Sequence, residues 1–458
     1  MKKYDAVIIG FGKGGKTLAG YLGKLGKKVA LIEKSKYMYG GTCINVGCIP
    51  TKSLVYKAKV GLYNEEKTFE EKAKYYKSAI EEKAKLTSAL REKNFNMLND
   101  NENIDIYNGV ASFVSNTQVK VSKEDGDVVI EGEKIFIDTG SKTIIPNIPG
   151  IKESKRIYTS TTIMELKELP KHLVIVGGGY IGLEFSSIYS EFGSKVTVLE
   201  TADGIAKRED KDVAEVIRKV LENKGVSFVT NSEVKSFRDK EENVVVSYLN
   251  KVSNELKEIE ADAVLVAIGR RPNTDELNLS AAGVEVTDRG AIAVDKTLKT
   301  SAENIWAFGD VKGGLQFTYI SLDDFRIVKD NLFGEGKRST DDREIVPYSV
   351  FIEPTLSRVG LSEEEALARG YDIKVAKLQA AAIPRAKVIE ETDGLMKAIV
   401  DAKTNKILGC TLLCAESSEI INTVSVAMKA NEDYTFLRDN IFTHPTMSEA
   451  LNDLFSLI

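Results

Sequence analysis

A glycine-rich fingerprint, repeated once, constrains the fold of this chain more than any other feature of its sequence. The first copy, residues 10–15, follows an apolar run at 4–10 that predicts a buried strand. A helix is expected to about Gly26, and a second strand over 28–33 ends in the acid Glu33. Strand, glycine turn, helix and strand in this order are typical of a dinucleotide-binding unit.

The second copy of the fingerprint begins roughly 165 residues later. The apolar run 173–176 leads into the glycines of 177–182, then into a predicted helix and a strand over 195–200. The run 261–269 is expected to be the strand that closes this second unit. Two such units in one chain predict two bound dinucleotides, one held permanently and one exchanging.

The residue types of the two fingerprints predict how each dinucleotide is held. Glycines permit a tight turn and let the backbone approach a pyrophosphate at a helix N-terminus, where the macrodipole favours anions. Glu33 and Glu200 are predicted to accept the hydroxyls of an adenosine ribose. A carboxylate at position 200 would repel the 2′-phosphate of NADPH, so NADH is favoured, although Lys207 and Arg208 could offset the repulsion. The glycines predicted to contact the dinucleotides are Gly10, Gly12, Gly15, Gly177, Gly179 and Gly182.

A pair of cysteines, Cys43 and Cys48, lies in a glycine-rich segment with four residues between the two thiols. A metal site would need further ligands, and no His or other Cys lies within about a hundred residues on either side. Gly40, Gly41 and Gly47 let the backbone approach a flat ring system, and thiols near a helix N-terminus are acidified. The pair is therefore predicted to be redox-active rather than structural.

The remaining segments predict how the rest of the chain is organised. Residues 51–99 are rich in Lys and Glu and predict a solvated helical hairpin. Residues 104–138 alternate apolar and polar positions, as in an antiparallel meander. The segment 304–310 is expected to be a strand that returns to the first unit, and from about residue 346 a separate C-terminal domain is expected.

Composition and charge exclude several classes of protein. The 458 residues include 63 Lys and Arg and 68 Asp and Glu, which gives no electrostatic footprint for nucleic acid or a membrane surface. No apolar run approaches the roughly 20 residues that span a bilayer, and the N-terminus enters a strand without room for a signal peptide. Four cysteines are too few for a secreted disulfide scaffold, and Cys410 and Cys414 lie in an apolar, strand-like setting typical of inert core thiols. A soluble cytoplasmic protein is expected.

The chain has two histidines, and only one of them has a setting that suggests chemistry. His172 precedes a predicted strand and is expected at the surface. Pro445 is predicted to begin a helix, so that Glu449 folds back onto the His444 ring, fixes its tautomer and raises its basicity. Such a ring is either a helix cap or, beside a redox dithiol, the proton acceptor and donor that thiol–disulfide exchange needs.

Over its whole length the chain resembles the flavoprotein pyridine nucleotide–disulfide oxidoreductases, which include dihydrolipoamide dehydrogenase, glutathione reductase and mercuric reductase. The segments that carry the resemblance are 10–15, 41–43, 48–52, 139–140, 177–184, 307–310, and 444–446 with Glu449. The resemblance implies an α/β fold with two Rossmann-type dinucleotide-binding domains, for FAD and NAD(P), and an α+β C-terminal dimerisation domain. The implied segments are 1–150 and 276–345 for FAD, 151–275 for NAD(P), and 346–458 for dimerisation.

The resemblance also implies roles for single residues. Cys48 would be the thiol in charge-transfer contact with the flavin, and Cys43 would be the interchange thiol that faces the substrate. His444 and Glu449 would serve the dithiol of the partner subunit, which makes a homodimer obligatory for activity. Tyr180 would gate the nicotinamide side. The other residues implied to contact FAD or the nicotinamide cofactor are Thr42, Lys52, Ala111, Thr139, Gly140, Glu184, Gly269, Asp310 and Thr318.

Within this family the chain is most similar to the reactive-chlorine-resistance flavoproteins, which include hypothiocyanous acid reductases. The segments that carry this likeness are 313–324, 334–343, 382–386 and 451–455. Residues 317–319 read Phe-Thr-Tyr where dihydrolipoamide dehydrogenase and glutathione reductase carry Leu-x-His, and 431–458 lacks the cysteine pair of mercuric reductases.

The function expected from these features is the NADH-driven, FAD-dependent reduction of hypothiocyanous acid or a related small oxidant through a redox-active Cys43–Cys48 disulfide. No resident metal is expected. Three alternatives stay open: reduction of a disulfide such as lipoamide, reduction of Cu(II) or Hg(II) at the same dithiol, and a flavin-dependent binding or sensor protein that does not need the cysteines.

Overall fold

The computed structural model describes residues 1–62 and 68–458 of the chain. Its strands are β1 Lys2–Ile9, β2 Val29–Glu33, β3 Ile104–Asn108, β4 Val110–Phe113, β5 Gln118–Ser122, β6 Val128–Ile137, β7 Ser141–Thr143, β8 Ile157–Thr159, β9 His172–Val176, β10 Lys195–Leu199, β11 Val226–Val229, β12 Ser232–Lys240, β13 Asn243–Asn250, β14 Glu255–Ala261, β15 Ala263–Val266, β16 Arg270–Pro272, β17 Ile305–Ala307, β18 Tyr348–Val350, β19 Leu356–Gly360, β20 Ile373–Gln379, β21 Leu395–Asp401 and β22 Ile407–Leu413. Its helices are α1 Lys13–Lys24, α2 Thr42–Asn45, α3 Cys48–Leu62, α4 Phe69–Asn99, α5 Tyr180–Phe192, α6 Lys211–Asn223, α7 Thr318–Phe333, α8 Glu363–Ala368, α9 Pro384–Val388, α10 Ser417–Lys429, α11 Tyr434–Arg438 and α12 Ala450–Ser456.

One compact unit is built on the first glycine fingerprint and comprises Met1–Ser53, Ser78–Ile145 and Gly269–Asp342. Its main sheet has the strand order β3-β2-β1-β6-β5-β4, with β17 paired to β6. Strand β1 pairs in parallel with both β2 and β6, and α1 packs between the sheet and α7. This is the Rossmann-type arrangement predicted from the first fingerprint.

Both faces of this sheet are buried. Val7 and Ile9 belong to one apolar core, and Ala6 and Ile8 belong to another on the opposite face. A strand that is covered on both sides has no polar face, which explains the continuous apolar run in the sequence. Because β1, β6 and β17 are mutually parallel, the glycine turn after β1 and Asp310 after β17 both follow carboxyl ends at the same edge of the sheet.

The segment 104–138 is only partly the antiparallel meander that was predicted. Strands β4, β5 and β6 do pair antiparallel in sequence order. Strand β3, however, pairs in parallel with β2, so the prediction is wrong for its first strand. The alternation of apolar and polar residues predicts a strand but does not determine which strand it pairs with. For β3 the partner is β2, which is distant in sequence. The predicted return of 304–310 to the first unit is confirmed by β17.

A second compact unit comprises Leu54–Lys77, Pro146–Ile268 and Arg343–Ile458. It contains a parallel sheet in the order β11-β10-β9-β15-β8, a three-stranded antiparallel sheet β12-β13-β14, and a five-stranded antiparallel sheet β18-β19-β22-β21-β20. Strand β15 pairs with β9, as expected for 261–269, but it does not close the sheet because β8 lies outside it. The domain boundaries at 150, 275 and 345 stay predictions.

Helices α3 and α4 occupy the Lys- and Glu-rich segment 51–99, as predicted, while residues 63–67 lie outside the described residues. The prediction that these helices are solvated is wrong for one face. Tyr76 of α4 is fully buried, and its hydroxyl lies 2.9 Å from that of Tyr189 and donates to the Leu166 carbonyl at 2.8 Å. The overall Lys- and Glu-rich composition of α4 does not reveal its one buried apolar stripe, because charged residues occupy the other faces of the helix. In the part of the chain that the structure describes, no helix is long and apolar enough to cross a bilayer.

Candidate redox site

The first glycine turn brings backbone amides to the start of α1. Gly10 has φ +109°, and a Cβ there would lie 2.3 Å from the carbonyl oxygen of Asp138, so only glycine fits. A Cβ on Gly15 would lie 2.6 Å from the Gly10 carbonyl oxygen, which fixes the close approach of helix and strand. Gly12 is the N-cap of α1, and no side chain caps the helix. Such an end attracts a phosphate through its amides and its dipole.

The second unit repeats this geometry. Gly177 has φ +111°, and a Cβ there would lie 2.7 Å from the Ala267 carbonyl oxygen. A Cβ on Gly182 would lie 2.0 Å from the Gly177 carbonyl oxygen, and Gly179 is the uncapped N-cap of α5. The two turns therefore have the same construction, in agreement with the internal repeat of the sequence.

The middle glycines of the two fingerprints differ in their surroundings. A Cβ on Gly12 would lie 2.5 Å from Oδ2 of Asp138, a fully buried carboxyl that accepts the Gly15 N–H at 2.7 Å. A Cβ on Gly179 would meet no atom of the described chain within 4 Å, and its φ of −81° is open to any residue. No contact within the described protein therefore excludes a side chain at position 179. The space above Gly179 is open to a ligand that approaches the backbone, as a pyrophosphate does in a dinucleotide-binding unit. Burial raises the pKa of Asp138, which the sequence analysis did not single out.

The two terminal acids are held in the same way. Glu33 accepts the Phe11 N–H at 3.1 Å and the Ser35 N–H at 3.2 Å. Glu200 accepts the Gly178 N–H at 2.6 Å and the Ala202 N–H at 2.8 Å. Each carboxylate is thus fixed beside its glycine turn, where a ribose of a bound dinucleotide is expected.

Other residues predicted to contact FAD lie at defined places in the first unit. Ala111 is buried in β4, Thr42 begins α2, Lys52 lies in α3, and Thr318 begins α7. Thr139 Oγ1 donates to the Asn273 carbonyl oxygen at 2.8 Å, and the Gly140 carbonyl oxygen accepts the Asn273 N–H at 3.0 Å. Asp310 accepts the Ser141 hydroxyl at 2.7 Å, and Gly269 has φ +123°. Their contacts with a cofactor stay predictions.

The residues of the first unit fit a flavin dinucleotide. An uncapped helix N-terminus, a fixed acid at the end of β2 and a thiol pair occur together in this unit. In addition, Asn45 next to the thiols donates to the carbonyls of Tyr39 and Gly41 at 2.9 Å, while its buried Oδ1 has no hydrogen-bond donor among the described residues. A buried acceptor without a donor is costly and is consistent with a donor supplied by a ligand.

The two cysteines lie at consecutive helix N-termini. Cys43 is the second residue of α2 and is half-buried, and the exposed Cys48 is the first residue of α3. A hydrogen bond from the Cys48 thiol lowers the pKa of Cys43 to about 6, and the same bond raises the pKa of Cys48. The hydroxyl of Thr318 lies 3.7 Å from Cys48 Sγ and also lowers the pKa of Cys43. The pair shares one proton near neutral pH, which is the state of a reactive dithiol.

Helix α5 carries Tyr180, which was predicted to gate the nicotinamide side, and Glu184, which was predicted to contact a cofactor. The Tyr180 hydroxyl donates to Glu209, which also accepts the Tyr348 hydroxyl at 2.6 Å and lies 3.4 Å from Arg358 Nη1. Glu184 accepts the Phe351 N–H at 2.8 Å. The residues around Tyr180 could not be predicted, because they come from distant segments and match no motif.

His444 and Glu449 are in contact, as predicted. His444 Nδ1 lies 2.8 Å from Glu449 Oε2 in an exposed part of the second unit. The predicted helix start at Pro445 is wrong, since α12 begins at Ala450 with Glu449 as its N-cap. Thr446 instead makes a turn, with its hydroxyl donating to the Thr443 carbonyl and accepting the Glu449 N–H. This turn, rather than a helix, brings the carboxylate back to the ring.

The other candidate groups have structural roles. His172 is not a free surface residue: its ring nitrogens lie 2.8 Å from the Glu260 carbonyl and 2.9 Å from Thr197 Oγ1, and burial lowers its pKa. Cys410 and Cys414 are fully buried, and burial raises the pKa of Cys414 to about 12. Within residues 1–62 and 68–458, no group of three or more His, Cys, Asp or Glu side chains is arranged to hold a metal ion.

Comparisons with known proteins agree with this construction. Residues 4–324 match the model of the pyridine nucleotide-disulphide oxidoreductase family, and residues 346–455 match that of its dimerisation domain. The chain is 53% identical to the probable pyridine nucleotide-disulfide oxidoreductase RclA of Escherichia coli, over 100% of both chains. It is 35% identical to a mercuric reductase of Lysinibacillus sphaericus, covering 98% of this chain and 81% of that one. It is also 35% identical to a dihydrolipoyl dehydrogenase of Geobacillus stearothermophilus, covering 97% and 94%.

Solved structures give the same result. The Cu(II) complex of the HOCl-induced flavoprotein disulfide reductase RclA from Escherichia coli superposes with a TM-score of 0.94, covers 100% of both chains and is 53% identical in sequence. A second solved structure, of the HOCl-induced flavoprotein disulfide reductase RclA from Escherichia coli, gives a TM-score of 0.92 over 99% of this chain and 100% of that one, also at 53% identity. The predicted fold class, with FAD and NAD(P)H as the cofactors of the family, is thereby confirmed. This chain is an oxidoreductase that belongs to the pyridine nucleotide-disulfide oxidoreductase family of flavoproteins.

Proposed function

We propose that this flavoprotein uses NADH to reduce a small electrophilic oxidant through the Cys43–Cys48 dithiol. The favoured oxidant is hypothiocyanous acid. The observation that carries the proposal is the thiol pair itself: one half-buried thiol with its pKa lowered to about 6, hydrogen-bonded to a second thiol at the next helix N-terminus. The E. coli relative is an HOCl-induced flavoprotein disulfide reductase, which supports an oxidant of this class.

The first unit is proposed to hold the FAD. Gly10, Gly12 and Gly15 would face its pyrophosphate, Glu33 its adenosine ribose, and Asp310 its ribityl chain. FAD supplies the transfer of two electrons from a reduced nicotinamide to the Cys43–Cys48 disulfide. Cys48 is proposed to be the thiol next to the flavin, which leaves Cys43 to face the substrate.

The thiol chemistry consists of two displacements. The Cys43 thiolate attacks the sulfur of hypothiocyanous acid, forms an S–S bond and releases hydroxide, which takes a proton to become water. Cys48, deprotonated, then attacks Cys43 Sγ, re-forms the disulfide and expels thiocyanate. The dithiol loses two electrons, and the oxidant gains them. Because the oxidant is small, no extended docking surface is needed.

Protons for these steps are assigned to His444. Its ring is oriented by Glu449 at 2.8 Å, and a ring held in this way can take the proton from one thiol and return it to the leaving group. We propose that this ring serves the dithiol of a partner subunit in a homodimer, which the matched dimerisation domain supports. The proposed place of action is the cytoplasm, where a disulfide is usually transient and catalytic rather than structural.

The proposed coenzyme is NADH rather than NADPH. Glu200 is fixed by two backbone amides at 2.6 and 2.8 Å, so it cannot easily swing away from a 2′-phosphate. Lys207, which could have neutralised it, forms an ion pair with Asp203 instead. We expect kcat/KM to be at least about tenfold higher for NADH than for NADPH. A preference for NADPH would contradict the role given to Glu200.

The experiment that tests the function is turnover of hypothiocyanous acid by Cys43→Ser, measured as NADH oxidation. We expect the variant to bind flavin and to lose turnover, because it has no nucleophile that meets the oxidant. Full activity in Cys43→Ser would contradict the proposal. The same assay with Cu(II) tests a second candidate function, metal-ion reduction, which is favoured by the Cu(II) complex of the similar E. coli structure.

A further inference from the structure

Lys16 is a buried lysine that neither glycine fingerprint explains. It lies on α1, only 6% of its surface is exposed, and its Nζ donates to Asn94 Oδ1 at 2.5 Å and to the Gly40 carbonyl oxygen at 3.4 Å. No carboxylate of the described residues lies within ion-pair distance of this ammonium. A lysine is rarely buried without a charged partner, because its desolvation is costly. The burial of the Lys16 ammonium therefore needs a structural or functional explanation.

One reason suggested by the sequence is excluded by the structure. Residues 10–17 read G-x-x-x-x-G-K-T, the pattern of a phosphate-binding P-loop, in which the Lys reaches phosphates and the Thr hydroxyl binds Mg²⁺. Here Lys16 Nζ is engaged by Asn94 and Gly40, and Thr17 Oγ1 donates back to the Lys13 carbonyl at 2.6 Å. Neither side chain is directed to a phosphate by these contacts.

The contacts of Lys16 lead instead to the thiols. Gly40 and Gly41, with φ of +93° and +81°, form the turn that enters α2, and Gly41 is the N-cap of the helix that carries Cys43. Lys16 binds the carbonyl of Gly40, while Asn45 binds the carbonyl of Gly41 at 2.9 Å. The turn before the reactive thiol is thus held from both sides by side-chain donors.

The charge of Lys16 also acts on Cys43. After the hydrogen bonds of Cys48 and Thr318, the positive charges of Lys16 and Lys13 lower the pKa of Cys43 further. In return, burial and the neighbouring Lys13 lower the pKa of Lys16 to about 8, while the charges of Cys43 and Asp138 oppose that shift. At neutral pH the ammonium is still mostly protonated, so its positive charge favours the thiolate form of Cys43.

We propose that Lys16 is a positioning residue of the redox centre, whose buried ammonium fixes the Gly40–Gly41 turn and supplies positive charge beside the Cys43 thiolate. The inference rests on the redox role proposed for the dithiol and adds to it a residue outside the Cys motif. It explains why a long cation, rather than an apolar side chain, occupies this inward position of α1.

The test is the pH dependence of alkylation of the reduced holoenzyme by iodoacetamide, with the labelled cysteine identified by mass spectrometry. In the unmodified protein the rate at Cys43 is expected to rise through pH about 6. In Lys16→Met the inflection should rise by roughly half to one pH unit. Lys16→Arg keeps the charge and should keep the inflection, as should Lys24→Met, an exposed lysine of the same helix.

A second variant keeps the test decisive if Lys16→Met does not fold. Asn94→Asp places a carboxylate next to Nζ, neutralises the ammonium without emptying the core, and should raise the inflection as well. If both variants fold and neither changes the inflection of the alkylation rate, the inference about Lys16 is overturned. If Lys16→Met does not fold, an unchanged inflection in Asn94→Asp alone overturns it. Absence of any reactive thiol in the unmodified protein would instead overturn the dithiol function, so the two failures are distinct.

Discussion

Thr318 contacts the thiol pair from outside the cysteine motif. Its hydroxyl lies 3.7 Å from Cys48 Sγ and lowers the pKa of Cys43. In Thr318→Val this hydrogen bond is lost, so Cys43 should become thiolate at higher pH, with an alkylation inflection raised by roughly half to one unit. At pH 6.5 the alkylation rate should fall by about 1.5- to 3-fold. Thr287→Val, at an exposed threonine of the same unit, should leave the profile unchanged; an unchanged profile in Thr318→Val would contradict the hydroxyl's role.

The contact between His444 and Glu449 allows a second prediction for a single residue. Glu449→Gln keeps the size of the side chain but removes the carboxylate charge that orients the His444 ring at 2.8 Å. We expect kcat to fall by roughly 10- to 100-fold with little change in KM for NADH. Glu432→Gln, at an exposed acid of the same unit, is the control and should keep full activity. Equal kcat values in both variants would show that Glu449 is only a helix cap.

At the level of elements, the two glycine turns have the same backbone but different tolerance to substitution. A Cβ at Gly179 meets nothing within 4 Å, whereas a Cβ at Gly12 meets Asp138 Oδ2 at 2.5 Å. Gly179→Ala should therefore fold normally and raise KM for NADH by about tenfold, because the methyl group enters the space where a pyrophosphate approaches. Gly12→Ala should lower the thermal midpoint. A lowered midpoint in Gly179→Ala with unchanged KM would contradict this assignment.

A partly buried ion cluster connects Lys397 of β21 to acids at the starts of α6 and α8 within the second unit. Lys397, with a side chain 1% exposed, contacts Asp210 at 2.9 Å, Asp212 at 3.1 Å and Glu363 at 2.7 Å. Lys397→Met leaves the buried Asp210 and the half-buried Glu363 without this cation and should cost roughly 3–5 kcal/mol. Lys377→Met is the matched control, because Lys377 is 45% exposed and pairs with Asp212 alone, so its loss should cost under about 1 kcal/mol. Urea midpoints measure both; equal midpoints would contradict the prediction.

The elements also show which features of the fold can be predicted from the sequence. The two fingerprint units were predictable because glycines, strands and terminal acids occur at fixed spacing, and that spacing has one structural solution. The partner of β3, the edge strand β8 and the buried face of α4 were not, because each depends on contacts between distant segments. At the site, the contact of His444 with Glu449 was predicted but the turn that forms it was not, and Lys16 was overlooked because local sequence does not reveal burial.

For the whole molecule, the proposed homodimer predicts complementation between two inactive variants. If His444 serves the dithiol of the partner, a mixed dimer of Cys43→Ser and His444→Ala chains contains one intact site. Random reassociation of the two variants after mild denaturation should then restore about a quarter of the original activity. If His444 serves its own chain, no site in the mixed dimer is intact and the mixture should stay inactive. The original protein taken through the same treatment controls for recovery.

The passage of electrons through the dithiol is tested most directly by anaerobic titration of the purified protein with NADH, followed by one equivalent of hypothiocyanous acid. The proposed dithiol relay predicts a long-wavelength absorbance band, from a thiolate next to oxidised flavin, that grows as NADH is added and disappears when the oxidant is added. Cys48→Ser should take up electrons into the flavin without reduction of a disulfide. A protein that binds no flavin, or a band that persists after the oxidant is added, would contradict the account.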